Sequence, residues 1–136
     1  QLINIIKDYK KDIARGWCYI PNNITDEYQI EINKIETLSN KQRQGIIKGM
    51  IPLIVTYLDS TLRYIKLLPL REKPIRMFCI IPFVLGYRTL PKIVQMEGNK
   101  ISRQEVTDII HKSGTYAQSN SMLEEDYLKI RERYLS

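Results

Sequence analysis

The chain has 136 residues, of which 43% are hydrophobic and 26% charged, and a formal net charge of +6. This length suits one domain with a single core and is too short for two domains of ordinary size. The composition argues against disorder, no run of roughly 18 uncharged apolar residues predicts a membrane span, and the N-terminus lacks the pattern of a secretory signal. Cys18 and Cys79 are far apart in sequence, which favours a reducing cytoplasm over a zinc site or a disulfide framework.

The positive charge favours anionic partners, such as phosphate, diphosphate, nucleic acid or acidic lipid headgroups, without choosing among them. The chain begins at Gln1 in what reads as the middle of an amphipathic helix. We therefore expect it to be a fragment of a longer protein.

The first half of the chain predicts three helices. Apolar residues at helical spacing indicate a helix over 1–13. The following Arg15 and Gly16 predict its end. A weakly periodic segment over about 26–34 indicates a short second helix. Ser39 and Gln42 match a capping box that opens a long third helix, with a proline inside it.

The second half predicts three more helices. A fourth helix is expected over about 74–94, and because it is apolar nearly all round, it should be the central element of the core. Capping-box patterns open a fifth helix at Ser102, expected to end near Gly114, and a sixth at Ser121. No alternating pattern is long enough to predict a strand. The predicted fold class is all-α, an antiparallel helical bundle forming a single domain over 1–136.

Four polar side chains share one stripe of the predicted first helix. An advance of about 100° per residue from Gln1 places Asn4, Asp8 and Asp12 within about 80° of one another. Magnesium prefers such oxygen ligands and is commonly held by one or two carboxylates together with substrate phosphates. Amides beside it can orient water or donate to phosphate oxygens. The stripe indicates either a magnesium and phosphate site or a solvated acidic pair bridged to Lys11 and its neighbours.

Three segments carry a family resemblance. The segment QLINIIKDYKKD, followed by RGWCYIP, resembles the second aspartate-rich segment of squalene and phytoene synthases. Further on, RMFCIIPFVLGYRTL resembles a later helix of that family, and KISRQEV resembles the start of the next helix in its bacterial members. The resemblance implies an isoprenoid-synthase-type fold, of which this chain would be the C-terminal half. It also implies magnesium-dependent, head-to-head condensation of two farnesyl or geranylgeranyl diphosphates, giving squalene, phytoene or dehydrosqualene.

The resemblance also implies roles for the polar stripe. Asp8 and Asp12 would hold the magnesium ions that grip an allylic diphosphate, and would thereby be both metal ligands and catalytic residues. Gln1 and Asn4 would bind the substrate beside them.

Four further residues near this segment match or depart from the family pattern. Lys7 stands where the family usually has arginine, so it keeps the charge of a substrate-binding residue but lacks the planar fork of a guanidinium. Trp17 replaces a second arginine. Arg15 would reach the same phosphate from the loop, or would remain solvated. Tyr19 matches an aromatic position near the active site, which implies a catalytic role; its alternative is to fasten the loop onto the bundle.

The family reaction passes through an allylic carbocation, which needs a dry cavity lined by apolar and aromatic groups. Phe78, Phe83 and Tyr87 of the fourth helix are candidates for that lining, with ordinary core packing as the alternative. The family's first aspartate-rich motif has no counterpart in the sequence, so we expect negligible turnover by this chain alone.

The expected partners are a prenyl diphosphate and the N-terminal half of the same protein, with magnesium as the cofactor. Some family members also reduce their product with NADPH, although no motif here supports that use. We expect a cytoplasmic protein, with peripheral membrane association through a lipophilic substrate or product.

The alternative from a different class is a basic helical module that binds nucleic acid, or a purely structural helical module. It is motivated by Lys66, Arg71, Lys73 and Arg76, which cluster around one connector. The single histidine, His111, has no carboxylate or cysteine at ligand spacing, so no zinc site or catalytic triad is predicted.

Overall fold

The computed structural model describes residues 1–31, 34, 37–95 and 100–135. Within these ranges the protein is all-α, without strands, which confirms the predicted fold class. The six helices are α1 (Leu2–Ala14), α2 (Asn22–Glu27), α3 (Asn40–Leu67), α4 (Lys73–Val94), α5 (Arg103–Tyr116) and α6 (Asn120–Tyr134).

The chain divides into two compact units, Gln1–Ile54 and Val55–Ser136. Helix α3 contributes its first half to one unit and its second half to the other. The single domain expected from the length of the chain stays a prediction.

The first unit has a core of aliphatic side chains from α1, α2, α3 and the connecting loops. Its buried hydrophobic residues are Ile6, Ile20, Ile24, Ile30, Leu38, Ile46, Met50 and Ile54. Helix α1 ends where the sequence predicts, because Gly16 adopts a left-handed conformation with φ +85° that residues with a Cβ avoid.

Helix α2 begins and ends earlier than the segment over 26–34 that periodicity indicates. Its first turn forms directly after Pro21, whose carbonyl accepts from the backbone amides of Ile24 and Thr25, and the latter two side chains are buried. Gln29, with φ 50°, then turns the chain away from helical geometry. Residues 32–33 of the predicted segment lie outside the described residues.

The capping box that opens α3 is present. The Ser39 hydroxyl accepts from the Gln42 amide at 3.2 Å, and the Gln42 side-chain oxygen accepts from the Ser39 amide at 3.1 Å. These bonds satisfy amides that have no partner within the helix.

The second unit is built around α4, which contacts both α5 and α6. Phe83, Tyr87 and Tyr127 form an aromatic cluster with ring centroids 5.1–5.4 Å apart. Helix α4 is therefore the central element of this unit, as its nearly continuous apolar sequence indicates.

The ends of α5 and α6 differ in part from the predictions. The capping box of Ser102 and Glu105 is present. Helix α5 continues past Gly114, because Ser113, directly before that glycine, and Tyr116, two residues after it, are both buried. Helix α6 is capped by Ser119 instead of Ser121, so it begins at Asn120. The predicted end of α4 at 98–99 lies outside the described residues.

Helices α3 and α4 are each long and apolar enough to cross a membrane, judged on length and composition alone. In each, 39% of the apolar window is buried inside the protein. Core helices of soluble proteins meet the same criterion, so this observation carries little weight for localisation.

Candidate functional site

A cavity of about 320 Å³ lies in the first unit, along α1 and the loop that follows it. It brings together all four members of the polar stripe and three other residues singled out by sequence. The lining residues are Gln1, Asn4, Ile5, Lys7, Asp8, Asp12, Trp17 and Tyr19.

Local backbone geometry explains how residues from the loop reach the face of α1. The positive φ of Gly16 reverses the chain, and the Trp17 amide then donates to the Asp12 carbonyl at 2.9 Å. This bond holds the start of the loop against the last turn of the helix. The aromatic side chains of Trp17 and Tyr19 are both more than half exposed and form part of the cavity wall.

Lys7 is the cation that faces the acidic pair. Its Nζ donates to Asn4 Oδ1 at 2.9 Å and lies 3.2 Å from Asp8 Oδ2. The alternative formulated from sequence bridges the acidic pair to Lys11 and its neighbours. Lys11 itself is exposed and is not among the residues that line the cavity. Asp12 has no side-chain hydrogen bond or ion pair to any other described residue.

Arg15 is exposed and is not among the residues that line the cavity. Among the described residues, the lining therefore contains one cationic side chain, Lys7, and two carboxylates, Asp8 and Asp12. The side chains of these lining residues together carry a net negative charge, although the whole chain is positive.

The donor set fits a magnesium ion whose coordination is completed by a substrate. Among the described residues, no group of three or more His, Cys, Asp or Glu side chains is arranged to hold a metal. Two carboxylates with neighbouring amide oxygens suit magnesium, because this ion keeps several waters and shares its remaining ligands with substrate phosphates.

The three aromatic residues proposed for a substrate cavity have different environments. Phe83 and Tyr87 are buried in the core of the second unit, as the core-packing alternative expects. The Tyr87 hydroxyl donates to Asp126, and burial raises its pKa, with the hydrogen bond to this carboxylate as a further cause. Phe78 is 81% exposed and is thus the only one of the three available to contact a substrate.

A second cavity, of about 360 Å³, lies between α4, α5 and α6. Its residues come from three separate helices and the adjoining segments and share no local sequence pattern, so the sequence does not indicate this cavity. Two of its cations already have anionic partners: Lys92 lies 2.7 Å from Glu105, and Arg88 pairs with Asp126.

The basic connector that motivates the nucleic-acid alternative is engaged in part within the second unit. Arg76 is fully buried and donates to backbone carbonyls. Lys66 lies 2.7 Å from Glu124, and Arg71 lies 3.4 Å from its neighbour Glu72. Of these residues, Arg76 is thus withdrawn from the surface, whereas the Arg71 side chain remains 85% exposed.

Comparison with models of protein families identifies a family to which the chain is similar. The model of the squalene/phytoene synthase family matches residues 1–107, which include the cavity on α1 and all of α4. No curated protein and no solved structure matches the chain.

Proposed function

Because the chain belongs to the squalene/phytoene synthase family, we propose that its α1 cavity is a magnesium and diphosphate site for head-to-head condensation of two prenyl diphosphates. The observation that carries this proposal is the grouping of Asp8, Asp12, Gln1 and Asn4 around one cavity. Oxygen ligands of this kind are those that magnesium prefers.

Each polar residue of the cavity has a role in the proposal. Asp8 and Asp12 hold the metal, while Gln1 and Asn4 orient its water ligands and contact phosphate oxygens. A bound magnesium ion would act there as a Lewis acid that favours departure of diphosphate from the allylic carbon. Tyr19, at the wall of the cavity, contributes aromatic surface beside the reacting carbon.

The proposal requires more than these 136 residues. Only one aspartate-rich helical segment of the family type occurs in the sequence, so the chain alone should bind a diphosphate with metal but should not turn over prenyl diphosphates. The rest of the site is proposed to come from an N-terminal half of the same protein. We further propose a cytoplasmic location with peripheral membrane association, because the product is lipophilic. No sequence motif supports the binding of NADPH.

Exchange of the cavity carboxylates tests the proposed function. We expect Asp8→Asn and Asp12→Asn each to weaken magnesium-dependent binding of a prenyl diphosphate by at least about tenfold, since each removes one ligand charge. Isothermal titration calorimetry of the chain with farnesyl diphosphate measures this loss. In a longer protein that contains the chain, the same changes should abolish product formation.

Asp26→Asn is the matched control, because Asp26 is exposed on α2 and does not line the cavity. It should leave diphosphate binding unchanged. Unaltered binding in both cavity variants would refute the metal role of Asp8 and Asp12. Rapid product formation by the isolated chain would refute the requirement for an N-terminal half.

A further inference from the structure

The charges that line the α1 cavity are poorly suited to hold a free diphosphate. Two of the three charged lining residues, Asp8 and Asp12, repel an anion. The third, Lys7, is already bonded to oxygens of Asn4 and Asp8, at 2.9 and 3.2 Å. An incoming phosphate therefore meets two carboxylates, and the one cationic side chain among the described lining residues is already paired.

Lys7 occupies the oxygens that the proposed function assigns to metal and substrate. Its ammonium lies against Asp8, a proposed metal ligand, and against Asn4, a proposed phosphate and water ligand. The Lys7 and Asp8 side chains are only 24% and 33% exposed, so this contact is part of the cavity wall and not a freely solvated pair. A divalent cation at Asp8 would compete directly with the Lys7 ammonium.

We propose that Lys7 makes the site bind in a fixed order, with metal before diphosphate. In this scheme, which rests on the proposed function, Lys7 neutralises Asp8 until a divalent cation replaces it. The released ammonium stays within the cavity on its flexible stem and then binds a diphosphate oxygen. Lys7 is thus a positioning and binding residue whose positive charge passes from the carboxylate to the substrate.

The side chain chosen at this position supports the exchange. A lysine ammonium is a compact charge on four rotatable carbons and can change partners by rotation about its own bonds. An arginine would pair with a carboxylate through two parallel hydrogen bonds and would be harder to displace. The Trp17 side chain, on the same cavity wall, adds no charge that could take over the role.

Thermodynamic linkage gives the scheme a measurable consequence. If metal binding frees Lys7 for the diphosphate, then each ligand must raise the affinity for the other by the same factor. The wild-type chain should therefore show no detectable diphosphate binding when metal is chelated, despite its net charge of +6. Removal of Lys7 should reduce this mutual effect.

The test is a calorimetric titration of the full chain with magnesium chloride alone, and with inorganic diphosphate in the presence of either magnesium or a chelator. We expect Lys7→Met to tighten the binding of magnesium alone by about two- to fivefold, the range for loss of a partly exposed ion pair. The same change should weaken diphosphate binding at saturating magnesium by about three- to tenfold, through loss of one charge-assisted hydrogen bond.

Lys10→Met is the matched control, since Lys10 is exposed on the same helix and lies outside the cavity lining. It removes one positive charge from α1 and should change either affinity by less than about 1.5-fold. Lys7→Arg tests the change of partner by the side chain at this position. In this variant magnesium should still raise the affinity for diphosphate, but magnesium itself should bind more weakly than to the wild type. Circular dichroism confirms that each variant is folded.

The outcomes separate this inference from the proposed function. Diphosphate binding by the wild type in chelator, or equal behaviour of Lys7→Met and Lys10→Met, would overturn the order of binding while leaving a metal site in place. Absence of both magnesium and diphosphate binding in the wild type would overturn the proposed function and the inference together.

Discussion

Arg76 donates to four oxygens from the core of the second unit, where its side chain is completely inaccessible to solvent. Its guanidinium bonds to the carbonyls of Ile65, Leu68 and Ala117 at 2.7–2.8 Å and to the Asn120 side chain at 2.6 Å. Leu68 and Ala117 lie directly after α3 and α5, where carbonyls lack the amide partners of a helix interior. The Ile65 carbonyl, which accepts from the Leu68 amide at 3.2 Å, gains Arg76 as a second donor. Burial lowers the pKa of Arg76, but a guanidinium remains protonated at any ordinary pH.

Loss of the Arg76 guanidinium should strongly destabilise the second unit. We expect Arg76→Met to lower the free energy of unfolding by about 3 kcal/mol or more, because several buried carbonyls lose a charged donor at once. Arg76→Lys should recover little, since an ammonium cannot span the same acceptors. Urea unfolding monitored by circular dichroism measures both effects. Arg103→Met, at an exposed position, should lie within about 0.5 kcal/mol of wild type.

At the scale of elements, α2 rests on two glycines of α3. A Cβ atom at Gly45 would lie 2.3 Å from ring atoms of Tyr28, and one at Gly49 would lie 2.9 Å from the Ile24 side chain. The two glycines are one helical turn apart and so form a flat surface on one face of α3. The close approach of α2 depends on this surface.

Alanine at two helical glycines should have opposite effects. Gly45→Ala should destabilise the first unit by about 1–2 kcal/mol, because the overlap with Tyr28 outweighs the gain in helix propensity. Gly114→Ala should stabilise the second unit by about 0.5–1 kcal/mol, since nothing lies within 4 Å of the added atom and the position is inside α5. Thermal unfolding of both variants checks the signs, and stabilisation by Gly45→Ala would contradict the close approach.

Helix α5 is joined to α4 by Glu105, which is both a capping residue and an ion-pair partner. Its Oε2 lies 2.7 Å from Lys92 Nζ and accepts from the Ser102 amide at 2.6 Å. The hydrogen bond from Lys92, followed by those from Ser102, lowers the pKa of Glu105 from 4.5 to about 2. The ionised carboxylate therefore contributes to the stability of the folded state.

The sign of the resulting pH dependence follows from the lowered pKa. The contribution of Glu105 to the free energy of unfolding is fully present above its unfolded pKa of 4.5 and is lost as the pH falls towards about 2. Glu105→Gln keeps the capping geometry but removes the charge. The free energy of unfolding of this variant should therefore fall less steeply over the same pH range. Denaturation midpoints measured between pH 5 and about 2 test this. The exposed control Glu125→Gln should keep the wild-type slope.

For the molecule as a whole, sequence reasoning succeeded where structure depends on local spacing. The all-α class, the capping boxes at Ser39 and Ser102, and the stop at Gly16 follow from short-range rules. The gathering of Asn4, Asp8 and the other stripe residues along one cavity follows equally from the helical repeat.

The features that the sequence does not predict depend on side-chain direction and on contacts between residues that are far apart in the sequence. The choice of Lys7 over Lys11 as the partner of Asp8 depends on side-chain direction, and the continuation of α5 past Gly114 depends on tertiary burial. The role of Arg76 could not be inferred, because its acceptors lie 8 to 44 residues away in sequence. A buried arginine and a solvated one have the same local pattern.

The arrangement around Arg76 has a kinetic consequence. Its acceptors come from the end of α3, the end of α5 and the start of α6, so the guanidinium exchanges its hydration for protein contacts only when all three have arrived. A folding intermediate that buried Arg76 earlier would enclose a charged guanidinium without all of its hydrogen-bond acceptors, and this raises the free energy of the intermediate. These bonds should therefore form after the main barrier to folding, and their loss should mainly speed unfolding. The hydrogen bonds of Arg76 thus slow the unfolding of the second unit and lengthen the lifetime of its folded state.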